Sequence, residues 1–532
     1  MLHVFSDIEH SHTFIIILFL LPLNTKSSNI IMIMPTPSMS HQQPALCLCE
    51  SLLEKGHLVT YISPGFSLPV IVDNLTFVNV STSTPTSELA LTKDFQKKVN
   101  RESLFVLIKN LIFMVENQIL SASFKEFLRH TKENQIVFDA IIVESYHGVL
   151  LGSIFSSLFN ATKIIGFCTG PGDFWFEGEL GSAVNPFLWP LPFNPYSNEM
   201  TFLEKIDNWW SLYLINGVVD ECWTETELFL AKNFNFSSVT LMEDVSSRFI
   251  LLLISSNFLY HHSRLLGPNI LELGPLHIKK PRALPQDLQK WMDDAKEGVI
   301  FFSLGSKVKS ESMSLTSLKA FVKAFAELGP QIRVVWKLNA VVHGVELSEN
   351  IMIKKWLPQQ DILAHPKVKL FITQGGLQSF QEAMHYGVPL IGIPWYGDQI
   401  SNVKRMVSMG IGLQMDVDNI TYENVRTEIN KILTNESFTE NMASYSKMSR
   451  DFTSKSKETA VWWIEYALRH QDFKDLKTSK FLFDFSYLCY FFILACLSLS
   501  LCCISFCSFK MLFTVQFLQS HFNEAPVKPK SS

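Results

Sequence analysis

Apolar runs of strand length alternate with helical segments from Asn29 onward, lapse near Gly274 and resume at Gly298. This doubled alternation is what most narrows the folds open to the chain. Asn29–Met34 has the length and apolar character of a strand, and a loop, Pro35–Ser40, follows it. A helical stretch from about Pro44 to Lys55 comes next, with Gly56 as its C-cap and Leu58–Ile62 as the next strand. Strand, helix, strand implies parallel pairing, because parallel neighbours need a crossover of helix length. Phe138–Val143 reads as a further strand entering a loop at Glu144.

After the lapse, Val299–Leu304, Arg333–Lys337, Ile351–Lys354, Lys369–Thr373 and Pro389–Ile393 read as strands, with helices such as Ser314–Leu328 and Gln378–His385 among them. The fold class is α/β: two doubly wound, Rossmann-like domains facing each other across a cleft. They occupy 29–274 and 291–480, joined by a linker at 275–290 that is rich in Pro and Lys. Asn185–Tyr196, crowded with Pro, Phe and Trp, reads as a loop lining something apolar.

Both ends carry apolar runs, as a mean hydropathy of +0.16 over 532 residues suggests. Phe485–Phe509 has no charged residue and is flanked by Lys480 and Lys510, which makes it a transmembrane helix followed by a cytosolic tail, 510–532. Phe14–Leu23 is shorter and fits the core of a signal peptide, 1–28, although its leader has no Lys or Arg. The body is then lumenal. Sequons at Asn74, Asn79, Asn160, Asn235, Asn419 and Asn435 agree with that side. The ending Lys528-Pro529-Lys530-Ser531-Ser532 resembles the dilysine signal that retains type I membrane proteins in the endoplasmic reticulum.

Charged residues are 18% of the chain and the net charge is -5, so no basic face is expected and nucleic acid is excluded as the main partner. Cys47, Cys49, Cys168 and Cys222 lack metal-ligand spacing, and no metal site is expected.

The densest chemistry lies between Trp356 and Gln399. A strand ending at Thr373 runs through Gln374 into Gly375-Gly376 and then a helix. Glycines allow close backbone approach, and a helix N-terminus presents N–H groups with partial positive charge, which suits a diphosphate. Ser379 and Glu382 share one helix face with Gly376, and a carboxylate there fits vicinal ribose hydroxyls. Trp356 offers a flat surface for a base, and Asp398 with Gln399 follows another strand end, where open α/β sheets collect ligands.

This stretch resembles the nucleotide-sugar signature of the UDP-glycosyltransferase (UDP-glucuronosyltransferase) family, spaced alike from Trp356 through Gln399. Phe301–Ser306 and Val335-Trp336-Lys337 also match family segments, and the resemblance covers nearly the whole chain. It implies the glycosyltransferase B fold, with the N-terminal domain binding the acceptor and the C-terminal domain the UDP-sugar. By that resemblance Trp356 stacks on uracil, Gln359 helps hold the uridine and Glu382 binds the ribose. Ser306, Gln374, Gly376, Gln378 and Ser379 surround the diphosphate, while Asp398 and Gln399 hold the sugar. The catalytic base is His41, in the loop after the first strand, and its carboxylate partner is Glu144. No cofactor or metal is implied, only a UDP-sugar donor and a small lipophilic acceptor. A homo-oligomer is compatible with the resemblance.

Two departures stand out. Gln374 occupies a place where vertebrate and plant members usually carry His, whereas invertebrate members often show the Thr-Gln-Gly-Gly found here, and Glu144 replaces an Asp. They raise the alternative of a UDP-sugar-binding protein without turnover. A nucleotide-dependent dehydrogenase is disfavoured, because Pro35–Ser40 contains no glycine where its fingerprint would lie.

Overall fold

The computed structural model describes residues 27–65, 73–81, 101–145, 148–159, 161–182, 185–192, 194–197, 199–234, 247–306, 308, 310–339, 344–470, 473, 476 and 480–523. The expected signal run Phe14–Leu23, the sequons at Asn160 and Asn235, and the tail lysines Lys528 and Lys530 lie outside these residues.

The first sheet contains β1 (Asn29–Ile33), β2 (Leu58–Ser63), β3 (Leu75–Asn79), β4 (Ala140–Glu144), β5 (Ile164–Cys168), β6 (Phe249–Ile254) and β7 (Ile270–Glu272). Its strand order is β3-β2-β1-β4-β5-β6-β7, and every neighbouring pair is parallel. The second sheet contains β8 (Gly298–Ser303), β9 (Ile332–Lys337), β10 (Ile351–Lys354), β11 (Val368–Thr373), β12 (Leu390–Gly392) and β13 (Gly412–Gln414), in the order β10-β9-β8-β11-β12-β13 and again parallel. Central strands such as β4 (AIIVE) and β6 (FILLLI) are buried along their whole length. Helices cover both faces of such sheets, so an unbroken apolar strand is stable where an alternating one would bury polar groups.

Each sheet reverses its winding once, and these two points position the site. In the first sheet β1 and β4 are neighbours, with Ile33 beside Val143. In the second, β8 and β11 are neighbours, with Ser303 beside Thr373. Loops leaving the carboxyl ends of such a pair turn to opposite faces and leave a crevice for ligand.

Two element boundaries differ from the expectation. The first helix is Met39–Glu54, so it begins ahead of Pro44 and places His41 in its first turn instead of a loop. Proline lacks an N–H, which leaves the carbonyl four residues earlier, that of Ser40, without its helix partner. Gln378 Nε2 takes that carbonyl from across the cleft. Glu144 is the last residue of β4, one step earlier than the loop assigned to it.

The domain division also shifts. Gln286–Asp293 is already a helix of the second core, through Leu288 and Met292. Helix Ser456–Arg469 returns to the first domain, where Ala460, Val461, Ile464 and Ala467 pack with Ile30, Leu48 and Tyr61. Its apolar residues recur at three- and four-residue steps and form one stripe that the first sheet covers.

A single helix, Lys480–Asn523, closes the described chain. Its apolar span is Phe491–Gln519, with mean hydropathy 2.3, so it runs past the expected limit at Phe509. Lys510 lies inside this span, and a lone lysine can extend its stem toward the headgroups. Twenty-nine residues rise about 44 Å, enough for a ~30 Å hydrocarbon core. Among the described residues this is the one helix long and apolar enough to cross a membrane. A chain ending at Lys480 should therefore be released into the supernatant on alkaline carbonate extraction. Continued pelleting of a folded product would show that another surface binds lipid.

Candidate active site

Both switch-point loops are built before any ligand is considered. In the first domain, the carbonyls of Met34 and Thr36 accept from Gln42 Nε2, at 2.9 Å each, and the Tyr61 hydroxyl donates to Gln42 Oε1 at 2.8 Å. Gln118 Nε2 donates to the Pro35 carbonyl at 2.9 Å. These bonds fix the loop between β1 and the Met39–Glu54 helix. The Thr36 N–H then donates to Glu144 Oε2 at 3.1 Å, and Glu144 Oε1 lies 2.5 Å from His41 Nδ1. Burial alone would raise the Glu144 carboxyl, but the His41 ring and the Thr36 bonds hold it below its ordinary value. Thr169, just beyond β5, adds its hydroxyl 3.1 Å from the same His41 nitrogen. The His41 side chain is 28% exposed while Glu144 is buried, so the ring faces the cleft with its carboxylate behind it. With Nδ1 committed to the carboxylate, Nε2 is the nitrogen that carries basic character.

Opposite lies the second crevice. Gly305 (φ +81) and Gly375 (φ +84) adopt left-handed backbone at the two strand ends, a conformation natural to glycine. A Cβ on Gly305 would fall 2.2 Å from Gln374 Nε2, so the Gln374 side chain fills the space that the missing side chain leaves. Thr373 Oγ1 donates to Gln374 Oε1 at 3.0 Å. Helix Leu377–Tyr386 starts here with Gly376 as its N-cap and no side chain capping it. Its first N–H groups thus meet the cleft at the same place as Gly305-Ser306.

Further along, Gln359 Nε2 donates to Ser379 Oγ at 3.0 Å and to Glu382 Oε2 at 2.7 Å. Gln360 Nε2 donates to Glu382 Oε1 at 3.0 Å. Trp356 is 62% exposed, and the Lys337 ammonium sits 4.5 Å from its ring centroid while donating to the Gly305 carbonyl at 2.8 Å. One face of the indole is thereby taken by a cation. Asp398 is half-buried and accepts from Asn402 Nδ2 at 2.8 Å. Burial pushes its carboxyl up, and the Asn402 amide and the His41 imidazole pull it part-way back.

The comparisons with known proteins decide the family. The family described as "UDP-glucoronosyl and UDP-glucosyl transferase" matches residues 29–524. UDP-glucosyltransferase 2 of Dactylopius coccus is 30% identical over 89% of this chain and 91% of its own. The chain belongs to this UDP-glycosyltransferase family. UDP-glucuronosyltransferase 2B15 of Rattus norvegicus is 28% identical, over 82% of this chain and 84% of its own. The crystal structure of the glycotransferase of kitacinnamycin superposes with a TM-score of 0.55 at 16% identity, covering 83% of this chain and 99% of that one. That likeness fixes the fold as the two-domain glycosyltransferase B architecture. The protein is an enzyme of sugar transfer from a UDP-sugar, as its family and fold require.

In this UDP-glycosyltransferase the two crevices face each other. Gln378, at the start of helix Leu377–Tyr386, reaches Ser40 beside His41, and Ser401 Oγ donates to the Pro192 carbonyl at 2.9 Å in the Asn185–Tyr196 loop. Of the twelve residues the sequence singled out, Gln399 stands most apart. Its Oε1 accepts the Trp395 and Tyr396 N–H groups at 2.9 and 3.2 Å, which folds its carbonyl back into its own loop. Three residues that touch the expected ones or their loops were missed: Thr169, Gln42 and Lys337. Only Lys337 carried a signal, its place in the Val335-Trp336-Lys337 segment; Thr169 acts through a contact remote in sequence, and Gln42 through the course of a loop that no local pattern records.

Asp173 was missed as well. It caps helix Phe174–Glu179 through Oδ1, at 3.0 Å from both the Trp175 and Phe176 N–H groups, and burial pushes its carboxyl up to about 7. The folded state therefore holds this proton to higher pH than the unfolded chain, whose ordinary value is 3.8. Its stabilising share is complete below about pH 4 and lost as pH rises through about 7. Asp173→Asn keeps the cap and removes the ionisation. Thermal melts should show variant and parent alike near pH 4, with the variant more stable by about 1–3 kcal/mol at pH 8. A constant difference across that range would contradict this.

Proposed function

We propose that the protein transfers glucose, with inversion, from UDP-glucose to a hydroxyl of a small lipophilic acceptor. The observation that carries this is the His41–Glu144 contact at one switch point, held against the glycine-lined helix start at the other by Gln378 and Ser40. His41 Nε2 takes the acceptor proton as the acceptor oxygen attacks C1 of the sugar. The C1–oxygen bond to the β-phosphate breaks on the opposite face, so the anomeric configuration inverts. UDP leaves with the bonding electrons. Glu144 keeps the His41 tautomer and stabilises the imidazolium.

On the donor side, uracil stacks on the face of Trp356 away from Lys337. The ribose hydroxyls donate to Glu382, with Gln359 beside them. Backbone N–H groups from Gly376 to Ser379, the Gln374 and Gln378 amides and Ser306 stabilise the charge growing on the diphosphate. Asp398 accepts from hydroxyls of the sugar, and Gln399 holds the Trp395–Tyr396 turn that shapes this end of the site. The protein binds no metal in this scheme. Glucose is preferred to glucuronic acid because the Dactylopius coccus relative carries the name UDP-glucosyltransferase. The body lies in the lumen of the endoplasmic reticulum, anchored as a type I protein by Phe491–Gln519.

UDP release from a panel of UDP-sugars with one phenolic acceptor tests the donor assignment. UDP-glucose should react fastest, and faster turnover of UDP-glucuronic acid would overturn it. Neither sequence departure argues for loss of turnover, since Gln374 packs between its glycines and Glu144 reaches His41. Gln374→His should accordingly keep activity. A charged imidazole beside phosphate adds ~1 kcal/mol over a neutral amide, so UDP affinity near pH 6 should rise about fivefold. Loss of activity in a folded variant would mean that this loop works differently.

A further inference from the structure

The strap between the domains runs along the donor helices, and its backbone is read by their side chains. Lys279 N–H donates to Gln360 Oε1 at 3.0 Å, and Gln360 Nε2 donates to the His277 carbonyl at 3.2 Å. Arg282 N–H donates to Asp361 Oδ1 at 2.9 Å, and the Tyr386 hydroxyl donates to the Lys279 carbonyl at 3.1 Å. These bonds carry one side chain inward. The His277 imidazole is 0% exposed, and its Nε2 lies 3.3 Å from Glu382 Oε1.

A buried imidazole nitrogen needs a partner. Yet neither ring nitrogen of His277 completes a hydrogen bond among the described residues. Glu382 has its Oε2 occupied by Gln359 and its Oε1 by Gln360. Ribose hydroxyls that donate to Glu382 compete with Gln359 for the carboxylate. A small turn of that carboxylate brings Oε1 into line with the His277 N–H and satisfies both groups.

We propose that His277 is a positioning residue for the donor: its Nε2–H holds Glu382 in the orientation that accepts the ribose 2′- and 3′-hydroxyls. This rests on the assignment of Glu382 to the ribose. It also places the interdomain strap in the same hydrogen-bond network as the nucleotide, through Gln360. The bland alternative is a histidine that only fills space under the strap.

Calorimetric titration of the full-length, detergent-solubilised protein with UDP and with 2′,3′-dideoxy-UDP separates the two. The parent should bind UDP more tightly than the dideoxy nucleotide. His277→Phe keeps the ring volume but has no donor, and should weaken UDP about tenfold while leaving the dideoxy nucleotide unchanged. His277→Gln retains a donor near the Nε2 position and should stay within about threefold of the parent. With saturating donor, kcat should be the same in all three. Should His277→Phe fail to fold, His277→Asn, whose amide stops short of Glu382, gives the same comparison. Equal weakening of both nucleotides, or no weakening, would overturn the role of His277. A parent that does not distinguish the two nucleotides would overturn the Glu382 assignment as well.

Discussion

The His41→Ala enzyme should lose transfer to hydroxyl acceptors by about 10³–10⁴-fold while its affinity for UDP is retained. An alcohol attacking a sugar is a poor nucleophile until its proton is drawn away, so the loss should lie toward the upper end of what general-base removal costs. Every donor contact proposed above comes from Ser306, Lys337 or the Trp356–Gln399 region, all on the second sheet and its helices. Glu144→Ala should lose less, because Thr169 still faces His41 Nδ1. In the His41→Ala background the Glu144 substitution should have little further effect, since the two act as one unit. Rates of the three variants at saturating donor check this. Additive losses, or an active His41→Ala enzyme, would remove His41 as the base.

Glu382→Ala should raise the KM for the UDP-sugar by roughly 10–150-fold, the equivalent of about 1.5–3 kcal/mol for a charge-assisted hydrogen bond. The KM for the acceptor should be unchanged, because Glu382 lies on the Leu377–Tyr386 helix and bonds Gln359 and Gln360 rather than any group of the first sheet. Initial rates with each substrate varied in turn decide it. Matching losses for both substrates would point to a damaged fold.

The parallel α/β architecture was legible because β1, β2, β4 and the strands of the second sheet up to β12 are short apolar runs bounded by turns. β5, β6 and β7 were harder to read. They follow segments such as Gly148–Phe159 and Phe202–Phe234 that are apolar themselves, and hydrophobic periodicity does not separate a buried strand from a buried helix there. The start of the first helix was misplaced because Pro44 looks like a first-turn proline, whereas here it lies one turn in and releases the Ser40 carbonyl to Gln378.

The crevice of the second sheet was legible because its residues follow one another from Trp356 to Gln399 and share local turns. The crevice of the first sheet brings together His41, Glu144 and Thr169 from three separate strand ends, and no local pattern records that. The return of helix Ser456–Arg469 to the first sheet was illegible for the same reason: its apolar stripe says that a partner exists without saying which.

The proposed transfer is a single displacement at C1 of the donor sugar. Nuclear magnetic resonance of the glycoside formed from UDP-α-glucose and a simple phenol reads that step directly. The β-glucoside should form together with one equivalent of UDP. An α-glucoside, or UDP release with no glycoside formed, would contradict this.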